Sequence, residues 1–159
     1  MSEQQFYAVL IPLDGEALLL PNAAVAEVVA RDRVRPPSAA PEWLAGHVEW
    51  NNRRIPVLRF ETLNGAPASV VDRRERVVIV HSLGVHHQGG ALGFITLGYP
   101  HLVTLNRAAL KAVPLRAQDR NDLVLSRVRI ASQEAVIPDL ETIEADLARV
   151  ENFAADTLA

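Results

Sequence analysis

The sequence predicts a mainly β protein: two similar small β units followed by a C-terminal amphipathic helix. Three patterns carry that reading. Short apolar runs are separated by turn signals of about two residues, as in antiparallel hairpins. One such hairpin, Val48 to Leu63, aligns without gaps on Val128 to Ile143. The apolar spacing then changes period at Asp139, after which Leu140, Ile143, Leu147 and Val150 share one helical face.

The elements follow in order. Apolar runs at 6–12 and 16–20 flank Asp14-Gly15, a dipeptide that tolerates positive φ and so favours a hairpin. Asn22 is placed to cap a short helical turn over 23–28. Residues 35–41 contain three prolines, which withhold ladder donors, so this stretch reads as an extended loop. Pro41 then opens a short turn through Glu42-Trp43-Leu44, closed by Gly46. The segment 48–57 predicts a hairpin turning at Asn51-Asn52, with Trp50 facing Arg53, Glu49 facing Arg54 and Val48 facing Ile55. Val48, Trp50, Ile55 and Val57 then form a core face, and Glu49 opposite Arg54 forms a cross-strand charge pair.

A polar connection at 64–75 reads as the join between the halves of one domain spanning 1–159. The β-branched run 76–83 predicts a strand covered on both sides, followed by a flexible loop at 84–90 and strands at 91–97 and 101–105. Residues 112–122 read as a second polar connection, 123–131 as an alternating strand, and 139–150 as the terminal helix. Gly15-Glu-Ala-Leu-Leu-Leu also echoes Gly90-Ala-Leu-Gly-Phe-Ile, which strengthens the reading of two like units.

Composition excludes several function classes. The absence of cysteine removes thiol nucleophiles, CxxC redox chemistry and thiolate metal sites. A net charge of −3 with only 5% aromatic residues gives no footprint for nucleic acid or anionic lipid. The N-terminus lacks the basic flank of a signal peptide, and no apolar run is long enough to cross a membrane, so the expected location is cytoplasmic.

No catalytic constellation assembles. His86-His87 are neighbours that point apart and read as a solvated loop pair, while His81 and Ser82 face opposite sides of a strand. No nucleophile elbow or Walker motif occurs, and Lys111 is the only lysine. Glu61 and Glu141 read as helix-start carboxylates rather than an acid–base pair. The arginines at 31–35 and the Arg53-Arg54 pair read as solvated surface or interface, and Trp43 and Trp50 as core anchors. The residues therefore predict a binding module with no cofactor, no metal and no enzyme activity. From the residues alone a small-ligand-binding β-barrel protein, with a cleft between the halves, stays open beside a protein–protein module. A hydrolase using histidine and carboxylates is the weaker third reading.

Several motifs, in order and spacing, resemble the CheW-like chemotaxis adaptors. They are Leu20-Pro-Asn-Ala-Ala-Val-Ala-Glu-Val28, Ala40-Pro-Glu-Trp-Leu-Ala-Gly46, Ile55-Pro-Val57 and the closing Glu-Ala-Val-Ile-Pro-Asp-Leu140. The Leu-Leu-Leu-Pro-Asn start and the Phe60-Glu61 after the hairpin look most like the ChpC-type accessory adaptors of chemosensory pili systems. The resemblance implies two SH3-like five-stranded β barrels around a shared core, short helices and a C-terminal helix. It implies a non-catalytic adaptor between the regulatory domain of a CheA-type histidine kinase and the cytoplasmic tip of a methyl-accepting chemoreceptor, in a pathway serving twitching motility by type IV pili. Partner binding is then expected at Val25, Glu27, Asn51, Asn52 and Arg53. The chain departs from the family hairpin Asn-Leu-Arg-Gly, which here reads Glu49-Trp50-Asn51-Asn52, and Arg59 stands where the family has Asp.

Overall fold

The computed structural model describes residues 5–67, 73–83 and 90–158, with side chains through Glu151. β1 (Phe6–Pro12) and β2 (Ala17–Pro21) form the first hairpin, and only Gly15 of its turn pair takes a positive φ. A single 3-10 turn at Asn22–Ala24, without a side-chain cap, leads into β3 (Val25–Ala30). The helical turn expected over 23–28 is thus a strand from Val25 onward. Alanine and glutamate favour helix locally, but pairing with the valines of β6 (Arg76–His81) overrides that preference.

β4 (Leu44–Trp50) and β5 (Arg53–Leu58) form the expected hairpin in the expected register. Asn51 and Asn52 both take left-handed conformations, with φ of 50° and 60°. The one-turn helix α1 (Phe60–Leu63) follows. Beyond β6 come β7 (Ala91–Thr96), β8 (His101–Leu105) and a three-residue strand β9 (Lys111–Val113) inside the expected polar connection. β10 (Val124–Ile130), β11 (Gln133–Pro138) and α2 (Leu140–Leu158) complete the chain. Asp139 caps α2 by accepting from Thr142 N–H at 3.2 Å, and the helix runs on to Leu158 rather than ending near 150. The expected loop pair His86-His87 lies outside the described residues.

The strands form two sheets, β8-β1-β2-β11-β10-β9 and β3-β6-β7-β5-β4. Apart from β9 they share one plan. An antiparallel hairpin (β1–β2 or β6–β7) lies parallel, through its second strand, to the second strand of another hairpin (β10–β11 or β4–β5). The repeat seen in the sequence is therefore a structural repeat, down to a bulge between Leu44 and Gly46 and another between Val124 and Ser126. The connection at 64–75, expected to join the halves, instead links two strands of the same five-stranded sheet. That sheet draws on the middle of the chain, and the six-stranded sheet draws on the segments before and after it.

Three apolar cores result. One lies between the sheets and brings Ile11 and Leu18 against Leu58, Phe94, Phe60 of α1 and Leu147 of α2. The others fill the interiors of the two barrel-like units, around Val48, Ile55 and Ile79 in one and Leu19, Leu105 and Val128 in the other. This explains why β6 and β7 are buried on both faces. Each fully buried aliphatic or aromatic side chain contributes about 1.5–3 kcal/mol through its removal from water. Trp43 packs against the shared core and Trp50 against a barrel interior, both partly buried.

β3 and β4 are the outer strands of the five-stranded sheet, and the proline-rich segment closes the gap between them. Arg35 and His47 exchange backbone hydrogen bonds of 2.7 and 2.9 Å. The approach is close enough that a Cβ at Gly46 would overlap the Arg35 carbonyl oxygen.

Candidate functional site

The residues expected to meet partners surround one end of the five-stranded unit. The Asn51-Asn52 turn is exposed at the tip of the β4–β5 hairpin, and Asn is the non-glycine residue best suited to two successive left-handed positions. Arg53 begins β5, exposed, and its guanidinium reaches the start of β7, where a Cβ on Gly90 would collide with Nη1. Glu27 is exposed on β3, next to a register irregularity between Val25 and Glu27. Its Oε2 accepts a 2.6 Å hydrogen bond from the Trp50 indole N–H. That contact brings Glu27 to the hairpin tip. Val25 is different: it is half-buried and packs against the shared core, so it supports the face more than it lines it.

A second polar region lies at the junction of the β1–β2 turn, α1 and the connection before β10. It encloses a cavity of about 430 Å³, bordered by Glu16, Glu61, Asn64, Arg116, Asp119 and Arg127 among others. Arg127 is 1% exposed. It donates two hydrogen bonds to Asp119, of 2.6 and 2.7 Å, one to Glu16 at 2.5 Å and one to Glu134 at 3.1 Å. The Arg127 guanidinium holds the Asp119 carboxyl well below the usual carboxylate range, aided by the Arg116 N–H and the Asn64 amide. The alternating pattern of β10 would place Arg127 with Leu125 and Arg129 on an outer face. The bulge between Val124 and Ser126 changes that alternation, so Leu125 is exposed and Arg127 buried.

Glu61 borders the same cavity under a different balance. Its Oε2 accepts weakly from Asp14 N–H at 3.4 Å, while Oε1 is buried with no hydrogen-bond partner. Burial pushes its pKa up despite those backbone contacts. A carboxyl whose folded pKa exceeds its unfolded value penalises the fold in full above the folded pKa, and that penalty fades as pH falls from there to the unfolded value. Glu61→Gln is therefore expected to raise the unfolding free energy at pH 7. The gain should fade below about pH 4, where the unfolded glutamate is itself protonated. Denaturant unfolding at the two pH values checks both the sign and the disappearance.

With this geometry in hand, comparison with known proteins is direct. The model of the CheW-like domain family matches residues 8–147, nearly the whole described fold. The chain belongs to the CheW family. Among solved structures it is similar to the scaffolding protein TtCheW from Thermoanaerobacter tengcongensis, at 20% sequence identity and a TM-score of 0.70. That match covers 86% of this chain and 90% of the other, and it shows the shared fold of two barrel-like units. No curated protein sequence matches.

CheW-family proteins are non-catalytic scaffolds. Among the described residues of this CheW-family chain, no group of three or more His, Asp or Glu side chains could hold a metal ion. Glu61 and Glu141 each stand in the first turn of their helix, as expected. His47 lies between Arg54 and Glu151, its ring nitrogens 3.4 and 3.5 Å from them. His81 lies edge-on to Trp50 at 6.4 Å between centroids. Two features of the site had no sequence signal. The Trp50–Glu27 bond joins residues far apart in the chain, and the Arg127 cluster is hidden by a bulge. Arg59, standing where the family has Asp, pairs with buried Glu75 at 2.7 Å, a compensation visible only in the fold.

Proposed function

We propose that the protein is a non-catalytic adaptor linking the regulatory domain of a CheA-type histidine kinase to the cytoplasmic tip of a methyl-accepting chemoreceptor. Family membership supports the adaptor role. The observation that carries the docking assignment is the convergence of Glu27 on the exposed Asn51-Asn52 tip through Trp50. Glu27, Asn51, Asn52 and Arg53 form the receptor-facing surface, and Val25 supports it from beneath. The Leu20-Pro-Asn motif and Phe60-Glu61 support a ChpC-type place in a cytoplasmic pathway serving twitching motility and type IV pili.

Two measurements test this. Wild-type protein should associate with a CheA-type regulatory domain and with a chemoreceptor signalling fragment, each monitored by calorimetry. Asn51→Arg restores the cation the family carries at the tip, and one new exposed charge pair is worth about 0.2–1 kcal/mol. Receptor affinity should therefore rise about 1.4- to fivefold while kinase affinity stays constant. Unchanged receptor binding would assign Asn51 to the turn alone. Absence of binding to both partners would reject the adaptor reading.

A further inference from the structure

The bond between Trp50 and Glu27 has no counterpart in the family hairpin pattern, where the Trp50 position carries leucine and the next residue arginine. It crosses between β3 and β4, the two edges of their sheet, which no ladder joins directly. Among the described residues, the links near that gap include the Arg35–His47 bridge, a 3.3 Å bond from Arg33 Nη2 to the Glu49 carbonyl, and Trp50 to Glu27. The last lies nearest the exposed tip. The irregularity in β3 just before Glu27 loosens the backbone pairing there and re-aims the side chain. Trp50 itself is well placed to act as a fixed donor. Its ring is partly buried against the barrel interior and edge-on to His81, so the indole N–H has little freedom.

The nature of this donor matters. An arginine in the same role would offset the charge of Glu27, whereas an indole donates one hydrogen bond and carries no charge. Among the described residues, no arginine, lysine or histidine forms an ion pair with Glu27. We infer that Trp50 is a positioning residue that fixes Glu27 as an oriented carboxylate with no ion-pair partner, and that this one contact thereby takes a cationic side chain of the receptor segment. This inference rests on the proposed docking role. It adds to that role the chemistry of the contact and the residue that prepares it.

The experiment is a double-mutant cycle on the full chain, with Trp50→Phe, Glu27→Gln and the double variant. Trp50→Phe keeps an aromatic ring at the position and removes the N–H together with part of the ring volume, a packing loss that the thermal-unfolding control reads separately. Binding to a chemoreceptor signalling fragment is measured across ionic strengths, with kinase binding and thermal unfolding as controls for the fold. Trp50→Phe should weaken receptor binding about three- to tenfold. Glu27→Gln should weaken it at least as much and flatten the salt dependence. The double variant should lose no more than Glu27→Gln alone. In the nuclear magnetic resonance spectrum, Glu27→Gln should shift the indole N–H signal of Trp50 and leave that of Trp43 in place.

Wild-type receptor affinity in Trp50→Phe, or losses that simply add in the double variant, would overturn the positioning role. An unchanged salt slope in Glu27→Gln would overturn the cationic partner, and an unmoved Trp50 signal would overturn the clamp itself. The last result needs no partner, so it separates failure of this inference from failure of the adaptor reading. Wild-type protein that binds neither receptor nor kinase would overturn both.

Discussion

Arg127→Ala is expected to lower the unfolding free energy at pH 7 by about 3–5 kcal/mol, the loss expected on breaking a buried ion-pair cluster. The reason lies in what remains. Asp119 and Glu16 are 9% and 8% exposed, and they would keep their charges without the guanidinium that faces both. The same geometry fixes the pH dependence. Asp119 has a folded pKa depressed chiefly by its hydrogen bonds from Arg127, so its contribution is present above the unfolded value and lost as pH falls through the folded one. In the variant that support is gone and protonation relieves the stranded carboxylates. The deficit should therefore shrink below about pH 4. Denaturant unfolding of both proteins at pH 7 and in acid measures it, with Arg127→Met as a control that fills more of the volume. A loss below about 1 kcal/mol at neutral pH would mean that water replaces the guanidinium at little cost.

The second large effect is steric. Gly46→Ala is expected to destabilise by about 2–4 kcal/mol, combining overpacking with a backbone conformation that L side chains rarely adopt. Gly46 has a φ of 147°, and its missing Cβ leaves room for the Arg35 carbonyl. The obstruction is backbone, so no side-chain rotamer can relieve it. The substitution should act first on the seam: hydrogen exchange at the Arg35 and His47 amides should accelerate before that of β6 or β7. Equal acceleration throughout the sheet would mean that the seam is not a separate unit. A loss under about 0.5 kcal/mol would mean that the segment carrying Arg35 gives way freely.

What was legible in the sequence is what local chemistry encodes. The Asn51-Asn52 turn allowed only a narrow choice of conformation, and with it came the register of β4 and β5. The change of period at Asp139 located α2, because capping and amphipathicity are properties of neighbours. β3 was misread because Ala-Ala-Val-Ala-Glu favours helix on its own and becomes a strand only where β6 supplies a partner. The polar segment at 64–75 looked like a boundary because parallel pairings, such as β5 with β7, leave no mark on either strand. The candidate site divides in the same way. Its residues follow from family motifs, but the indole bond that brings Glu27 to the hairpin is visible only once the barrel closes. Arg127 sat in an alternating strand, and one extra residue moved it from an apparent surface to the interior.

The nesting of one sheet within the sequence of the other has a consequence for synthesis. Every strand of the five-stranded unit lies between Val25 and Thr96, so that unit can close once Thr96 has left the ribosome. The hairpin of β1 and β2 emerges first yet must wait for β8 and β11, the last of which ends at Pro138. At translation rates of about 5–20 residues per second, that wait is roughly 6–25 s. Until β8 emerges, both edges of this apolar two-stranded ribbon lack a native neighbour, and the β2 edge still lacks one until β11 emerges, by which time the adjacent barrel can already have closed. The edges most exposed to wrong pairing during synthesis are thus those of the β1–β2 hairpin, residues 6–21, in the nascent chain rather than in the finished molecule.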